Sequence, residues 1–281
     1  MNRPGLRLSL ALLLILIFST YTSAGTQEDM IEQYILQSGL GDMIAEIPPQ
    51  MDVLATQKKL TSKNPDVETK VFQLMKESFE VKQAEKNLTG YLLQNTDRKF
   101  LGEMLQWLES PLAQKITREE TAASRAENQG NMLRYLADME SNPPSEKRIA
   151  LMQEVEQKTH LSELTTDIVL QILKGLMESA KLALPEDKRE SIEGSYQDIE
   201  DMKATIQEGF RNQMVLTSFY TYRNISDEEL GEYIKFYDSE LGRKEIKITG
   251  DAIGHVFNCW FENFGEKLVT LAEEESGKRF K

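Results

Sequence analysis

Apolar residues recur three and four positions apart along nearly the whole chain after residue 24, and no stretch alternates with a period of two. That spacing predicts amphipathic helices and no sheet. Proline and glycine, which interrupt helices, are sparse and stand where helices are expected to begin or end. We therefore predict an all-α protein. The clearest predicted helix starts and junctions are Asn64-Pro65, Ser110-Pro111, the capping box Ser226 with Glu229, and Leu184-Pro185.

The first part of the chain resembles the second part. Residues 101–115 align with residues 230–244 at an offset of 129, and residues 38–43 align with residues 159–164 at an offset of 121. The two offsets differ because the second part carries extra residues in its middle. Identical pairs at the longer offset are Leu101/Leu230, Gly102/Gly231, Glu103/Glu232, Ser110/Ser239, Leu112/Leu241 and Lys115/Lys244.

A duplicated unit of this size is a domain and not a short solenoid repeat. The strongest break in the middle of the chain is 141–145, Ser-Asn-Pro-Pro-Ser, which we interpret as the boundary between the two halves. The sequence therefore predicts two related multi-helix domains in tandem, 27–140 and 145–275, followed by a basic tail, 276–281.

Each half carries the same short motif within the aligned segment. A helix ends in two large side chains, a serine caps the next helix, and a small residue three positions later allows close backbone approach. We expect the large side chains to pack structurally into the corner between the two helices. The motif residues are Trp107, Leu108, Ser110, Pro111, Ala113 and Lys115 in the first half and Phe236, Tyr237, Ser239, Gly242 and Lys244 in the second.

These residues resemble a bacterial secreted family known as domain of unknown function 2059. Its hallmark is Phe-Tyr-x-Ser-Pro-x-Gly-x-Lys, often after a Ser/Thr-x-Glu-Glu-Leu start such as 226–230. The second half departs at Glu240, where the family has proline, and the first half departs at Trp107, Leu108 and Ala113. The resemblance covers most of the chain after residue 24 as two loose matches. It implies an all-helical fold and an envelope or secreted location, and it implies no activity.

The N-terminus has the pattern of a signal peptide. Arg3 and Arg7 precede an apolar run from Leu8 to Phe18, and small or polar residues follow up to Ala24. The run has about eleven residues, whereas a bilayer-spanning helix needs about twenty. We predict that residues 1–24 are a signal peptide, that the mature protein is periplasmic or secreted, and that it is not an integral membrane protein. An uncleaved anchor is the alternative.

Charge and cysteine content limit the partners of the protein. The formal net charge is −13, and an excess of carboxylates repels nucleic-acid phosphates, so we expect no nucleic-acid partner. Cys259 is the only cysteine, so the chain cannot form an internal disulfide. Because its neighbours are aromatic, we expect Cys259 to be buried.

Two groups of residues have spacings that could form a catalytic or metal-binding site on a helix. Asp251, His255 and Cys259 follow each other at four-residue intervals, which puts them on one helix face where an imidazole could orient a nucleophile or bind zinc. The outer two are about 12 Å apart on a straight helix, so other ligands would have to come from elsewhere. The alternative is a packing face beside the neighbouring aromatic residues. Residues Ala122, Ala126 and Gly130 occupy the aligned positions of the first half.

The second group is Glu156, His160 and Glu163, which is a candidate carboxylate–imidazole–carboxylate cluster. It lacks the His-Glu-x-x-His order of a helical zinc protease, and such coincidences are common among 46 acidic residues. We predict no metal and no cofactor in the protein.

Two apolar stretches bear on possible partners. Residues 168–177 are apolar around most of a helix, and the C-terminal segment has an aromatic stripe, so each is either core or a binding surface. The sequence favours a non-catalytic binding module for an envelope protein or a small apolar ligand. The alternatives are a hydrolase or metal-binding protein that uses Asp251, His255 and Cys259, and a structural homo-oligomer. The stripe residues are Phe257, Trp260, Phe261, Phe264, Leu268 and Leu271.

Overall fold

The computed structural model describes residues 25–61, 65–183 and 186–279. In these ranges the chain forms α-helices, one short 3₁₀-helix and no strand, which confirms the predicted all-α class. The proposed signal peptide, Asn64 and the Leu184-Pro185 junction lie outside the described residues. The helices are α1 (Gln27–Ser38), α2 (Leu40–Ala45), α3 (Ile47–Thr61), α4 (Pro65–Ser78), α5 (Val81–Asn95), α6 (Arg98–Leu108), α7 (Pro111–Ser124), α8 (Gln129–Ser141), α9 (Glu146–Thr159), α10 (Leu161–Ala183), α11 (Glu186–Thr221), α12 (Asp227–Asp238) and α13 (Glu240–Arg279).

Side-chain caps start several helices where the sequence predicts them. Ser110 accepts a hydrogen bond from the backbone N–H of Ala113, and proline follows at the first helical position. Ser226 and Glu229 form the full capping box of α12, with each side chain bonded to the other residue's backbone N–H. Each cap satisfies amide groups that the first turn of a helix leaves without a partner.

The break at 141–145 separates α8 from α9, and Ser145 caps α9. The hydrophobic clusters do not follow this boundary. The first cluster joins buried residues of α1 to α6 to residues 248–264 of α13. The second joins Ile116 of α7 to residues of α9, α11 and α12. Each half therefore completes its apolar core with a helix from the other half.

Aromatic rings at aligned positions meet between the halves. Trp107 at the end of α6 stacks on Phe236 near the end of α12, with ring centroids 4.0 Å apart and an interplanar angle of 3°. The two residues are 129 positions apart, which is the offset of the aligned segments. The sequence predicts that each ring packs in the corner of its own half, whereas this contact joins the two halves.

The two motif lysines also cross to the other half. Lys115 of α7 pairs with Glu229 at the start of α12, with Nζ 2.7 Å from Oε2. Lys244 of α13 lies over the ring of Phe100 at the start of α6, 4.9 Å from its centroid. Because Phe100 and Glu229 are also 129 positions apart, both lysines reach equivalent places on the opposite half.

One backbone feature recurs at the shorter offset. Gly39 between α1 and α2 has φ of 79°, and His160 between α9 and α10 has φ of 52°. They are the positive-φ residues of the described ranges, and they lie 121 positions apart. Glycine adopts this conformation freely, whereas a histidine there costs about 1 kcal/mol or more. The chain therefore turns in the same way at both helix junctions.

Helix α13 also closes the end of α4. The indole N–H of Trp260 donates to Ser78 Oγ at 2.9 Å, and Asn263 Nδ2 donates to the carbonyl of Ser78 at 2.8 Å. Lys267 Nζ donates to the carbonyl of Glu77 at 2.8 Å. These side chains occupy one stripe of α13 and satisfy carbonyls that the last turn of a helix leaves free. No helix in the described ranges is long and apolar enough to cross a lipid bilayer.

Candidate functional site

The motif residues have contacts that explain them structurally. Ser239 Oγ accepts a hydrogen bond from the N–H of Gly242, as Ser110 does in the first half. A Cβ on Gly242 would lie 2.3 Å from the carbonyl oxygen of Phe236, so only glycine fits the turn from α12 into α13. The aligned Ala113 is buried and keeps its methyl group. The motif therefore builds the junction of two helices and part of the contact between the halves.

Asp251, His255 and Cys259 lie on one face of α13, as the spacing predicts, but they do not form a relay. The carboxylate of Asp251 pairs with Lys247 at 2.7 Å. His255 is exposed and its ring lies 5.4 Å from that of Tyr91. Cys259 Sγ is 3.7 Å from His255 Nε2, and the thiol is half-buried, less than the sequence predicts.

The surroundings of Cys259 disfavour its ionised form. Burial raises the pKa of this thiol, and the nearby carboxylate of Glu262 raises it further. A nucleophilic cysteine needs the opposite shift, because the thiolate is the reactive species. Within the described ranges, no group of three or more His, Cys, Asp or Glu side chains is placed to hold a metal ion.

Both histidines of the chain line one open groove between α10 and α13. This charged groove has a volume of about 910 Å³. Its charges are largely paired: Lys203 with Asp167 at 2.8 Å, and His160 Nδ1 with Glu163 at 3.1 Å. The groove brings His160 and Glu163 of one candidate group and Asp251 and His255 of the other to one surface. Glu156 and Cys259 do not line it. Its ion pairs are exposed and contribute little binding energy.

A second groove continues from the first along α10 and α13. This apolar groove has a volume of about 920 Å³ and shares Gln171, Lys174 and Asn258 with the charged groove. The helices approach closely here, since a Cβ on Gly175 would lie 2.9 Å from Phe261. Its apolar lining consists of Gly175, Phe261, Gly265 and Val269.

Helix α10 is only partly buried over the apolar stretch that the sequence assigns to either the core or a binding surface. In the stretch 168–177, Leu170 is buried, whereas the other apolar side chains are only partly covered. The pair α10–α13 forms the most extensive helix contact in the described part of the chain. Helix α10 packs on α13 and, less extensively, on α11, and part of its surface lies beside the apolar groove.

Glu156, His160 and Glu163 lie around the α9–α10 corner. Glu156 is 5% exposed and accepts a short hydrogen bond from Ser162, which is also buried. Glu156 and His160 line a small polar cavity between α9, α10 and α11. The three side chains do not converge on a single point, because His160 and Glu163 pair with each other on the exposed side.

Two carboxylates that the sequence does not single out join the halves. The hydroxyls of Tyr222 and Tyr233 donate to Glu120 Oε1 at 2.6 and 2.7 Å. Glu245 Oε1 accepts from Tyr34 at 3.0 Å. Burial raises the pKa of both carboxyls, and the tyrosine hydrogen bonds oppose this rise. A carboxylate within the apolar stripe of a helix is the signal that could have identified them.

No family model, no curated protein and no solved structure matches this chain. The resemblance to domain of unknown function 2059 therefore rests on the motif residues quoted above.

Proposed function

We propose that this is an exported, non-catalytic binding protein that holds a small apolar ligand in the apolar groove between α10 and α13. The observation that carries the proposal is the groove itself. Two long helices leave an open groove of about 920 Å³, and its apolar lining is formed by Gly175, Gly265, Val269 and the largely buried Phe261. An open apolar groove on the surface of a monomer is typical of a binding site.

The rim of the apolar groove selects the kind of ligand. It carries Lys174 and three carboxylates, those of Glu178, Glu262 and Glu266. The excess of negative charge repels the carboxylate of a fatty acid. We therefore expect an uncharged or cationic alkyl compound to bind better than an anionic one of the same chain length.

Three compounds with one alkyl chain test this proposal. Thermal unfolding is measured with dodecanol, dodecylamine and dodecanoate, since a ligand that binds only the folded state raises the melting temperature. We expect stabilisation by dodecanol and dodecylamine and less by dodecanoate. The substitution Val269→Asp should abolish it, because a carboxylate would enter the apolar lining. Leu36→Asp is the control, since Leu36 is 79% exposed and does not line the groove. Equal effects in both variants, or none in the unchanged protein, would refute the proposal.

The hydrolase or metal-binding alternative has one supporting observation, the contact of Cys259 with His255. The raised pKa of the thiol and the pairing of Asp251 with Lys247 weigh against it. A homo-oligomer remains the third possibility, and the mass of the native protein distinguishes it from the binding proposal.

We further propose that the halves are diverged copies of one helical module that now pack as an interlocked pair. The stacked pair Trp107/Phe236 and the left-handed pair Gly39/His160 support this, because each pair occupies aligned positions. Export by the signal peptide 1–24 is part of the proposal and is tested by the N-terminal sequence of the mature protein.

A further inference from the structure

A small polar cavity lies between α9, α10 and α11, apart from the apolar groove. Its volume is about 580 Å³, enough for a molecule the size of an amino acid. Its walls carry the paired side chains of His160 and Glu163 and, beside them, one further carboxylate, a guanidinium and four side-chain amides. The latter residues are Glu156, Arg211, Gln153, Gln157, Gln207 and Asn212.

Glu156 is 5% exposed, and one of its two carboxylate oxygens accepts no hydrogen bond from a described residue. Oε1 accepts from Ser162, while Oε2 lies 3.6 Å from Arg211 Nε and accepts no hydrogen bond from any described residue. Burying a charge costs several kcal/mol unless hydrogen bonds and ion pairs offset the loss of water. Glu156 lines the cavity, and Oε2 is the oxygen of its carboxylate that has no hydrogen bond from a described residue.

The first half shows that the fold does not need this carboxylate. At the offset of 121, Glu156 corresponds to Ile35 and Ser162 to Gly41. Ile35 packs against the first hydrophobic cluster. The aligned position of the first half thus carries an apolar side chain, whereas the second half carries an acid that faces the polar cavity.

Arg211 has spare hydrogen-bonding capacity as well. Its side chain is 54% exposed, and its only described contact is the ion pair through Nε. The two terminal nitrogens of a guanidinium suit a carboxylate, which they bind in a bidentate manner. A negative group and a positive group thus stand side by side in one cavity, and this arrangement complements a zwitterion.

We propose that this cavity binds a free polar α-amino acid. The ammonium group donates to Glu156 Oε2, and the α-carboxylate accepts from the terminal nitrogens of Arg211. The four amides face the side chain of the ligand and favour one with hydrogen-bonding groups. The site is separate from the apolar groove, so either proposal stands if the other fails.

Calorimetric titration of the full-length protein with L-glutamine tests the proposal. Two matched analogues, glutaramic acid without the ammonium group and 4-aminobutanamide without the carboxylate, are titrated in parallel. We expect L-glutamine to bind and each analogue to bind at least about tenfold more weakly, because each loses one charged contact. No heat with L-glutamine at millimolar concentration, or equal binding of an analogue, would overturn the proposal.

Substitutions of cavity residues test whether L-glutamine binds in the cavity. Glu156→Gln keeps an acceptor for Ser162 but removes the charge, and Arg211→Gln removes the guanidinium. We expect each to weaken L-glutamine binding by at least about tenfold. Glu154→Gln, an exposed position of the same helix with the same change in charge, should leave binding unchanged. Unaltered affinity in the Glu156 and Arg211 variants would overturn the assignment, and the analogue titrations on the unchanged protein decide the matter if a variant does not fold.

Discussion

Trp107 and Phe236 stack with their ring planes 3° from parallel, although 129 positions separate them in the chain. At the offset of the aligned segments the two rings correspond, so the contact joins residues at aligned positions. The motif lysines repeat the pattern, since Lys115 and Lys244 each reach the start of the opposite helix pair. The motif that ends one helix and starts the next therefore contributes to the contact between the halves, together with the packing of α13 on the first hydrophobic cluster.

The stack should be measurable as a coupling energy. Trp107→Ala and Phe236→Ala should each lower the free energy of unfolding by about 2–3 kcal/mol, less than for fully buried rings because both are partly exposed. In the double variant the two losses should fall short of their sum by about 1 kcal/mol, the usual value for an aromatic pair. Urea unfolding of the four proteins provides the cycle. Strict additivity would mean that the rings contribute independently.

Gly242 should tolerate no side chain. Gly242→Ala should destabilise the protein by about 2–4 kcal/mol, because the new methyl group would collide with the backbone of Phe236 and Tyr237. Gly231 of α12 is the control, since a Cβ there would meet no atom within 4 Å. Gly231→Ala should stabilise by up to about 1 kcal/mol through helix propensity. Thermal unfolding of both variants tests the contrast, which similar melting temperatures would contradict.

Stability should rise when the pH falls from neutral to mildly acidic. Burial raises the pKa of Glu120 and Glu245 above the ordinary carboxyl value, so the folded state binds these protons more tightly than the unfolded state. The contribution of these two carboxyls to the free energy of unfolding grows as the pH falls through their pKa in the folded state. It is complete once the pH lies below their pKa in the unfolded state. Asp227 has a lowered pKa beside Arg148, and its contribution is lost only at more acidic pH. Urea midpoints between about pH 5 and pH 7.5 measure the trend.

The variant Glu120→Gln tests whether Glu120 causes this dependence of stability on pH. The amide oxygen can still accept from Tyr222 and Tyr233, but the side chain no longer titrates. We expect higher stability than the unchanged protein at neutral pH and a smaller gain on acidification. Glu154→Gln removes an exposed carboxylate and should leave the profile as it is. A profile unchanged by Glu120→Gln would show that this carboxyl is not responsible.

Replacement of His255 distinguishes the proposal of an apolar-ligand site from the alternative of a metal-binding site. The side chain is exposed and its described contacts are Tyr91 and Cys259, so His255→Ala should change the free energy of unfolding by less than about 1 kcal/mol. Dodecanol stabilisation should persist in the variant, and zinc should stabilise neither protein. Loss of a zinc-dependent stabilisation in the variant would support the metal-binding alternative.

The sequence predicts the local elements of this fold well. The caps at Ser110 and Ser226 and the break at 141–145 are where their residue types place them, because a cap depends on neighbouring residues alone. The four-residue spacing of Asp251, His255 and Cys259 likewise fixes a shared face on one helix.

The partners of each helix face could not be predicted in this way. Periodicity identifies the buried side of a helix but not the helix that covers it, so the contact of Trp107 with Phe236 is found only in the structure. The same limit applies to Glu120 and Glu156, whose partners lie on other helices. The partial exposure of 168–177 also depends on how α10 packs against α13.

Native mass spectrometry of the mature protein from its own host tests the proposed function most directly. The account predicts a monomer that begins near Gly25 and carries one additional small apolar molecule, and it predicts that Val269→Asp lacks this extra mass. A bare monomer, a monomer with the mass of a metal ion, or a doubled mass without ligand would contradict it.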